Sequence, residues 1–243
     1  MYKLFKKIHL WLALPFGIII SIVCITGGIL ALEKPITNLI LSNRQEIISQ
    51  EPTKEHPQEH TLQMQASPKE GAHAVKGKKQ RLPFFRTVMR IHRWLLDAPA
   101  KRGDKTIGKT IVGVSTIAFA ITLISGLFIW WPRNAKVLRN RLTVKCNKGW
   151  RRLFLDLHVS LGFWSMLLLL LMALTGLTWS FGWYREGFYS LFGTDAEVRR
   201  LVTSLHTGSW GGLFSQILYF IVAIIGGTLP LTGYYLWWKR THK

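Results

Sequence analysis

The sequence predicts an all-α integral membrane protein: four transmembrane helices arranged as two parallel-repeat hairpins, with an added amphipathic surface helix. Long apolar stretches, an internal repeat and an uneven spread of basic residues along the loops predict it. Hydrophobic residues make up 49% of 243 positions, with 11 Trp and 13 Phe, which is too apolar and aromatic for an ordinary soluble domain. Leu10 to Leu32, Thr110 to Pro132, Val159 to Trp183 and Thr207 to Trp238 are essentially free of charge. Each exceeds the roughly 20 residues that cross about 30 Å of hydrocarbon at about 1.5 Å per residue.

Residues 1–32 hold the first span. Its apolar run of 23 residues is longer than the about 7 to 15 of a signal-peptide core, and no small-residue cleavage site follows, so it is expected to stay uncleaved. Residues 33–82 form a polar extracytoplasmic loop with little apolar periodicity after Ile48, expected to be mobile and solvated. Residues 83–133 carry an amphipathic helix and the second span. In that helix Phe84, Phe85, Val88, Ile91, Trp94 and Leu95 recur at helical spacing among Arg86, Arg90 and Arg93, which suits an outer membrane surface. Residues 134–156 form a basic loop, 157–183 the third span, 184–206 a short outer loop, and 207–243 the fourth span with its tail.

A net charge of +20 would suggest nucleic acid in a soluble chain, but here its distribution matters more than its sum, and no nucleic acid is expected. The segments before the first span, between the second and third, and after the fourth carry 14 Lys/Arg against a single acid, Asp156. The other two loops carry 18 Lys/Arg diluted by 11 acids. Densely basic short loops lie inside, so both termini are expected in the cytoplasm and the protein in the inner (plasma) membrane. Cys24 and Cys146 lie on different elements and imply neither a disulfide framework nor a thiolate metal site.

The repeat ties the spans together. Leu4-Phe5, His9 and Thr26-Gly27 match Leu153-Phe154, His158 and Thr175-Gly176, with 17 residues from His to Thr in both copies. Ile91-His92, Gly108, Ser125-Gly126 and Trp130-Trp131 then correspond to Leu205-His206, Gly211, Thr232-Gly233 and Trp237-Trp238. Two hairpins that both begin inside are related by an axis along the membrane normal. Such an axis places His9 with His158 at one depth and His92 with His206 at another, facing across the bundle.

Ionisable side chains at membrane depth usually carry function, and two facing imidazoles can supply both axial ligands of a haem held between helices. Symmetry would duplicate a structural histidine equally well. His56, His60, His73 and His242 are expected to be solvated. The Trp pairs read as interfacial anchors, and the Thr-Gly and Ser-Gly steps as close-packing devices whose hydroxyls bond back to their own helix. Arg93 could pair with a haem propionate or serve as a solvated charge.

The segments around Ile91-His92, Gly108 and Ser125 to Arg133, with those around His158, His206 and Leu231 to Arg240, resemble the PepSY-associated transmembrane family across all four spans. The resemblance implies iron-regulated inner-membrane proteins that include ferric-siderophore reductases, with haem b carrying cytoplasmic electrons outward. It implies His9, His92, His158 and His206 as axial ligands of haem iron. It also implies a sizeable PepSY domain between the first two spans, where residues 33–82 are short and polar; this departure leaves direct substrate recognition by the chain open, and a partner protein that supplies an outer domain is one way to meet it.

The expected function is therefore that of a dihaem b transmembrane electron-transfer oxidoreductase that reduces ferric iron or a ferric-siderophore at the outer face. The sequence names no cytoplasmic electron donor, and one-electron transfer calls for no nucleophile or general base. A helix from His9 to the outer surface is about 35 Å long, which would hold the two irons far apart. The alternatives are a non-catalytic membrane subunit that scaffolds or regulates a transport or reductase partner, and a transporter of metal or haem. Stable ligation by two histidines argues against the last, because cargo must also leave.

Overall fold

The computed structural model describes residues 1–50, 81–101, 104, 106–132 and 134–242. Four helices in it are long and apolar enough to cross a membrane. They are α1 (Tyr2–Ala31), α4 (Ile107–Trp130), α6 (Trp150–Ser180) and α9 (Gly212–Thr241). The shorter helices are α2 (Glu33–Gln50), α3 (Pro83–Trp94), α5 (Ala135–Leu142), α7 (Gly182–Phe192) and α8 (Ala196–Thr207). The spans form a ring in which α1 packs on α4 and α9, and α6 packs on the same two helices, so α1 and α6 are diagonal to one another.

Small residues let the ring close where α1 meets α9. A Cβ added to Gly28 would lie 3.3 Å from Ala223 Cβ, and one added to Gly227 would lie 2.7 Å from Ile25 Cγ1. Without a hydrophobic drive between helices in lipid, such close backbone approach and the dispersion it permits hold spans together. Apolar side chains face both ways: Leu169 is 1% exposed in the centre, whereas Leu167 and Trp164 on the same helix are 71% and 67% exposed, as a lipid-facing surface requires.

The amphipathic helix expected before the second span is α3, which buries Phe85 and Val88 and packs on α1 and α4. Its end is fixed tightly. Leu95 and Leu96 both adopt left-handed backbone, with φ of 50° and 73°. Their N–H groups donate to the carbonyls of Ile91 and Arg90, and the chain then reverses into α4. Asp97 accepts the Gly108 N–H at 2.9 Å and so caps the start of that span.

The loops hold more helix than the sequence suggested. Residues 33–50, expected as the start of a mobile loop, form α2, with Pro35 in its first turn where a missing N–H costs nothing. The remainder of that loop, with His56, His60 and His73, lies outside the described residues. Residues 184–206, expected as a short outer loop, lie almost wholly in α7 and α8. The repeat explains α8: it is the counterpart of α3, twelve residues long like it, with the second histidine in its last turn and Val202 as its buried residue.

Candidate histidine-paired cofactor sites

Each histidine is presented by one helix and gripped by another. His9 on α1 donates from Nδ1 to the Thr122 carbonyl at 3.0 Å and to Ser125 Oγ at 3.2 Å, both on α4. His92 on α3 donates to the Val23 carbonyl at 3.0 Å and to Thr26 Oγ1 at 3.3 Å, both on α1. His206 on α8 donates to the Met172 carbonyl at 3.0 Å and to Thr175 Oγ1 at 3.1 Å, both on α6. His158 on α6 donates to Thr232 Oγ1 on α9 at 2.9 Å.

These bonds settle which ring nitrogen carries the proton. A carbonyl only accepts, so Nδ1 must be the N–H in the first three rings. Every one of the four hydroxyls also donates its own hydrogen back to its helix: Thr26 to Ile22, Ser125 to Thr122, Thr175 to Leu171 and Thr232 to Leu229. It is therefore left to accept from the histidine, His158 included. Nε2 keeps its lone pair in all four rings, the state a metal ligand needs. In α3 and α8, outside the spans, burial pushes His92 and His206 down to about 4, so both are neutral near pH 7.

The glycine after each hydroxyl makes room for the ring. A Cβ added to Gly27 would lie 2.9 Å from Cε1 of His92, and at Gly176 it would lie 3.0 Å from Cε1 of His206. The same distance is 3.3 Å from Gly126 to His9 and 3.7 Å from Gly233 to His158. The Thr-Gly and Ser-Gly steps thus do more than pack helices: the hydroxyl accepts from the imidazole and the bare Cα leaves space for it. Sequence reading found the steps but not their partners.

The presented rings then meet in pairs across the bundle. The ring centres of His9 and His158 are 6.3 Å apart, with planes at 86°, and those of His92 and His206 are also 6.3 Å apart, with planes at 52°. A metal–nitrogen bond of about 2.0 Å, plus about 1.1 Å from nitrogen to ring centre, puts two imidazoles on opposite sides of one ion about 6.2 Å apart. Among the described residues no group of three or more His, Cys, Asp or Glu could hold a metal ion. The pairs therefore suit an ion that brings its own in-plane donors, as a porphyrin does.

Two cavities surround the pairs. One of 990 Å³ encloses His9 and His158 at the end where both termini lie, and one of 410 Å³ encloses His92 and His206 at the distal end. Both fall in the roughly 300–1,000 Å³ range of small-molecule and cofactor sites. Both have basic mouths. Lys3, Lys6, Lys7, Arg151 and Arg240 line the terminal cavity, where the one acid, Asp156, is paired with Arg152 at 2.9 Å. Lys34, Arg93 and Lys109 line the distal one, where Glu33 is paired with Arg81. An apolar planar body with anionic arms suits such a cavity.

The tryptophan pairs divide between two environments. Trp130 lines the terminal cavity, stacks on Phe163 at 3.7 Å and has a buried Nε1–H without a partner among the described residues. Trp131 beside it is 68% exposed to the lipid side. Trp237 and Trp238 repeat the split. Interfacial anchoring describes only the second member of each pair. Arg93 borders the distal cavity and lies 4.7 Å over the Trp94 ring. His242 is exposed, as expected, and stacks on Trp238.

No curated protein and no solved structure matches the chain. The family model for the PepSY-associated TM region matches residues 6–198 and 189–240, covering both hairpins and all four histidines, and the chain belongs to that family.

Proposed function

We propose that this multi-pass membrane protein is a dihaem b electron conduit that carries electrons from the cytoplasm to the outer face of the inner membrane, where ferric iron or a ferric-siderophore is reduced. The observation that carries the proposal is the duplicated pair of neutral imidazoles, each pair 6.3 Å apart with every Nδ1–H already engaged. Bound between such a pair, haem supplies a one-electron ferric/ferrous couple.

The chain's own groups do the rest. His9 with His158 and His92 with His206 would hold the iron, and the carbonyl and hydroxyl acceptors keep each ring in one tautomer and orientation. Hydrogen bonding to Nδ1 makes the ligand more basic, which favours the ferric state and lowers the potential. The basic mouths neutralise propionates, and the unpartnered Trp130 N–H supplies a donor at the terminal end. The basic end with the termini faces the cytoplasm, by the positive-inside rule.

A pyridine haemochrome count per purified chain tests this. Two haems are expected in the native protein and fewer in His92→Ala or His158→Ala. A colourless protein after haem-supplemented expression overturns the proposal and leaves the non-catalytic scaffold.

A further inference from the structure

The two cavities come within one side chain of each other. Among the described residues Ile20 and Phe119 alone line both. Both are buried, at 4% and 9% exposure, and both belong to the central packed cluster with Leu123, Leu169, Val222 and Leu229. The packed apolar side chains of this cluster fill the partition. Interior packing of this kind leaves no room for water.

The repeat gives this partition a polarity. Ile20 and Leu169 stand eleven residues after His9 and His158, so they are counterparts and both are branched aliphatics. Phe119 and Gly226 stand six residues before Ser125 and Thr232, so they are counterparts too, yet one is the bulkiest residue of the cluster and the other has no side chain. The space beside Gly226 is taken by Leu169, whose Cδ2 lies 2.7 Å from where a Cβ would be. An aromatic ring therefore stands between the cavities on one side of the pseudo-axis only. Symmetry packing alone would have put similar side chains on both.

We infer that Phe119, supported by Ile20, is the spacer across which one electron passes between the two histidine-paired sites. This rests on the haem reading above. In the step the terminal-end iron goes from ferrous to ferric and the distal-end iron from ferric to ferrous; no bond is made or broken and no proton moves. The electron comes from a cytoplasmic one-electron reductant, replaced by dithionite in the test. The ring borders both cavities and would bring a polarizable contact to a cofactor in each. The span length that separates the chain's two ends then overstates the distance the electron must cross.

The test uses the full chain in sealed proteoliposomes. External dithionite reduces the near-face site directly and the far-face site only through the protein, so the Soret band changes in a fast and a slow phase. Phe119→Leu is expected to slow the second phase several-fold while the fast phase and the haem count stay native, and Phe119→Tyr is expected to restore it. Val222→Ala, which loosens the same cluster but lines neither cavity, is expected to leave the slow phase unchanged. Paramagnetic relaxation between the two oxidised sites, which needs no turnover, is expected to report the same separation in Phe119→Leu as in the native chain. An unchanged slow phase in Phe119→Leu, an equal loss in Val222→Ala, or an increased separation in Phe119→Leu each overturns the inference. Absence of haem from the native chain instead overturns the reading on which it rests.

Discussion

Gly27 is pressed against the edge of His92: a Cβ at that position would fall 2.9 Å from Cε1, closer than real Cβ contacts approach. The same relation holds at 3.0 Å for Gly176 and His206, relaxes to 3.3 Å for Gly126 and His9, and opens to 3.7 Å for Gly233 and His158. A methyl group therefore has a graded effect. Gly27→Ala and Gly176→Ala are expected to displace the distal rings and strip cofactor from that site, at a cost of about 1–3 kcal/mol for overpacking. Gly233→Ala is expected to leave haem content native. Haem per chain and thermal stability of the four Gly→Ala variants check the order, and equal behaviour of Gly27→Ala and Gly233→Ala would contradict it.

The hydroxyl beside each of those glycines is one of two acceptors its histidine has, and it differs in how closely it is held. His92 and His206 keep a carbonyl acceptor at 3.0 Å if the threonine is lost, and the Leu229 carbonyl likewise bonds the His158 ring, but Thr232 is the closer-held hydroxyl there, at 2.9 Å. Thr232→Val removes the shortest of the four histidine–hydroxyl bonds, an expected cost of about 0.5–1.5 kcal/mol. Thr26→Val and Thr175→Val, which lose the longer bonds of 3.3 and 3.1 Å, are expected to cost less. Weaker bonding at Nδ1 also makes the imidazole a poorer donor to iron, so the terminal-site midpoint potential is expected to rise in Thr232→Val and to return in Thr232→Ser. Redox titration of the three variants reads both effects.

The histidine pairs were legible because an internal repeat converts sequence offsets into symmetry, and symmetry fixes depth and facing without knowledge of any contact. Their grip was not. A threonine that bonds back to its own helix looks complete in sequence, since nothing there tells that its oxygen accepts a second bond from another helix. The Trp pairs contained a signal that went unused: neighbouring residues at a helix end point in different directions, about 100° apart in regular helix, so two consecutive tryptophans need not share one environment. Phe119 gave no signal at all, because an apolar residue in a span reads alike whether it meets lipid or a neighbouring helix. The helix α8 hid for a related reason, as its single buried residue, Val202, makes too faint a stripe.

The two ring pairs share a separation but not an angle. The planes of His9 and His158 cross at 86°, those of His92 and His206 at 52°. Crossed imidazole planes leave two of the iron d orbitals nearly degenerate and give a strongly anisotropic low-spin ferric signal, while a smaller angle splits them and gives a more rhombic one. Electron paramagnetic resonance of the oxidised protein is expected to resolve two signals. His158→Ala is expected to remove the more anisotropic and His206→Ala the other. One signal common to both variants would show that the rings do not keep these angles when they ligate.

The distal site depends on a backbone contact remote from any cofactor. A Cβ on Gly108 would lie 1.9 Å from the Trp94 carbonyl oxygen, so the end of α3 and the start of α4 touch backbone to backbone. This contact and the left-handed Leu95 and Leu96 set the point at which α3 stops, and His92 stands one turn before it. Backbone cannot step aside as a side chain can. Gly108→Ala is therefore expected to cost more than the about 1–3 kcal/mol of ordinary overpacking, to lower the thermal midpoint and to empty the distal site while the terminal site keeps its haem. Gly187→Ala, where a Cβ would meet nothing within 4 Å, is the matched control and should behave as native. A native-like Gly108→Ala protein with two haems would show that α3 can shift without loosening its histidine.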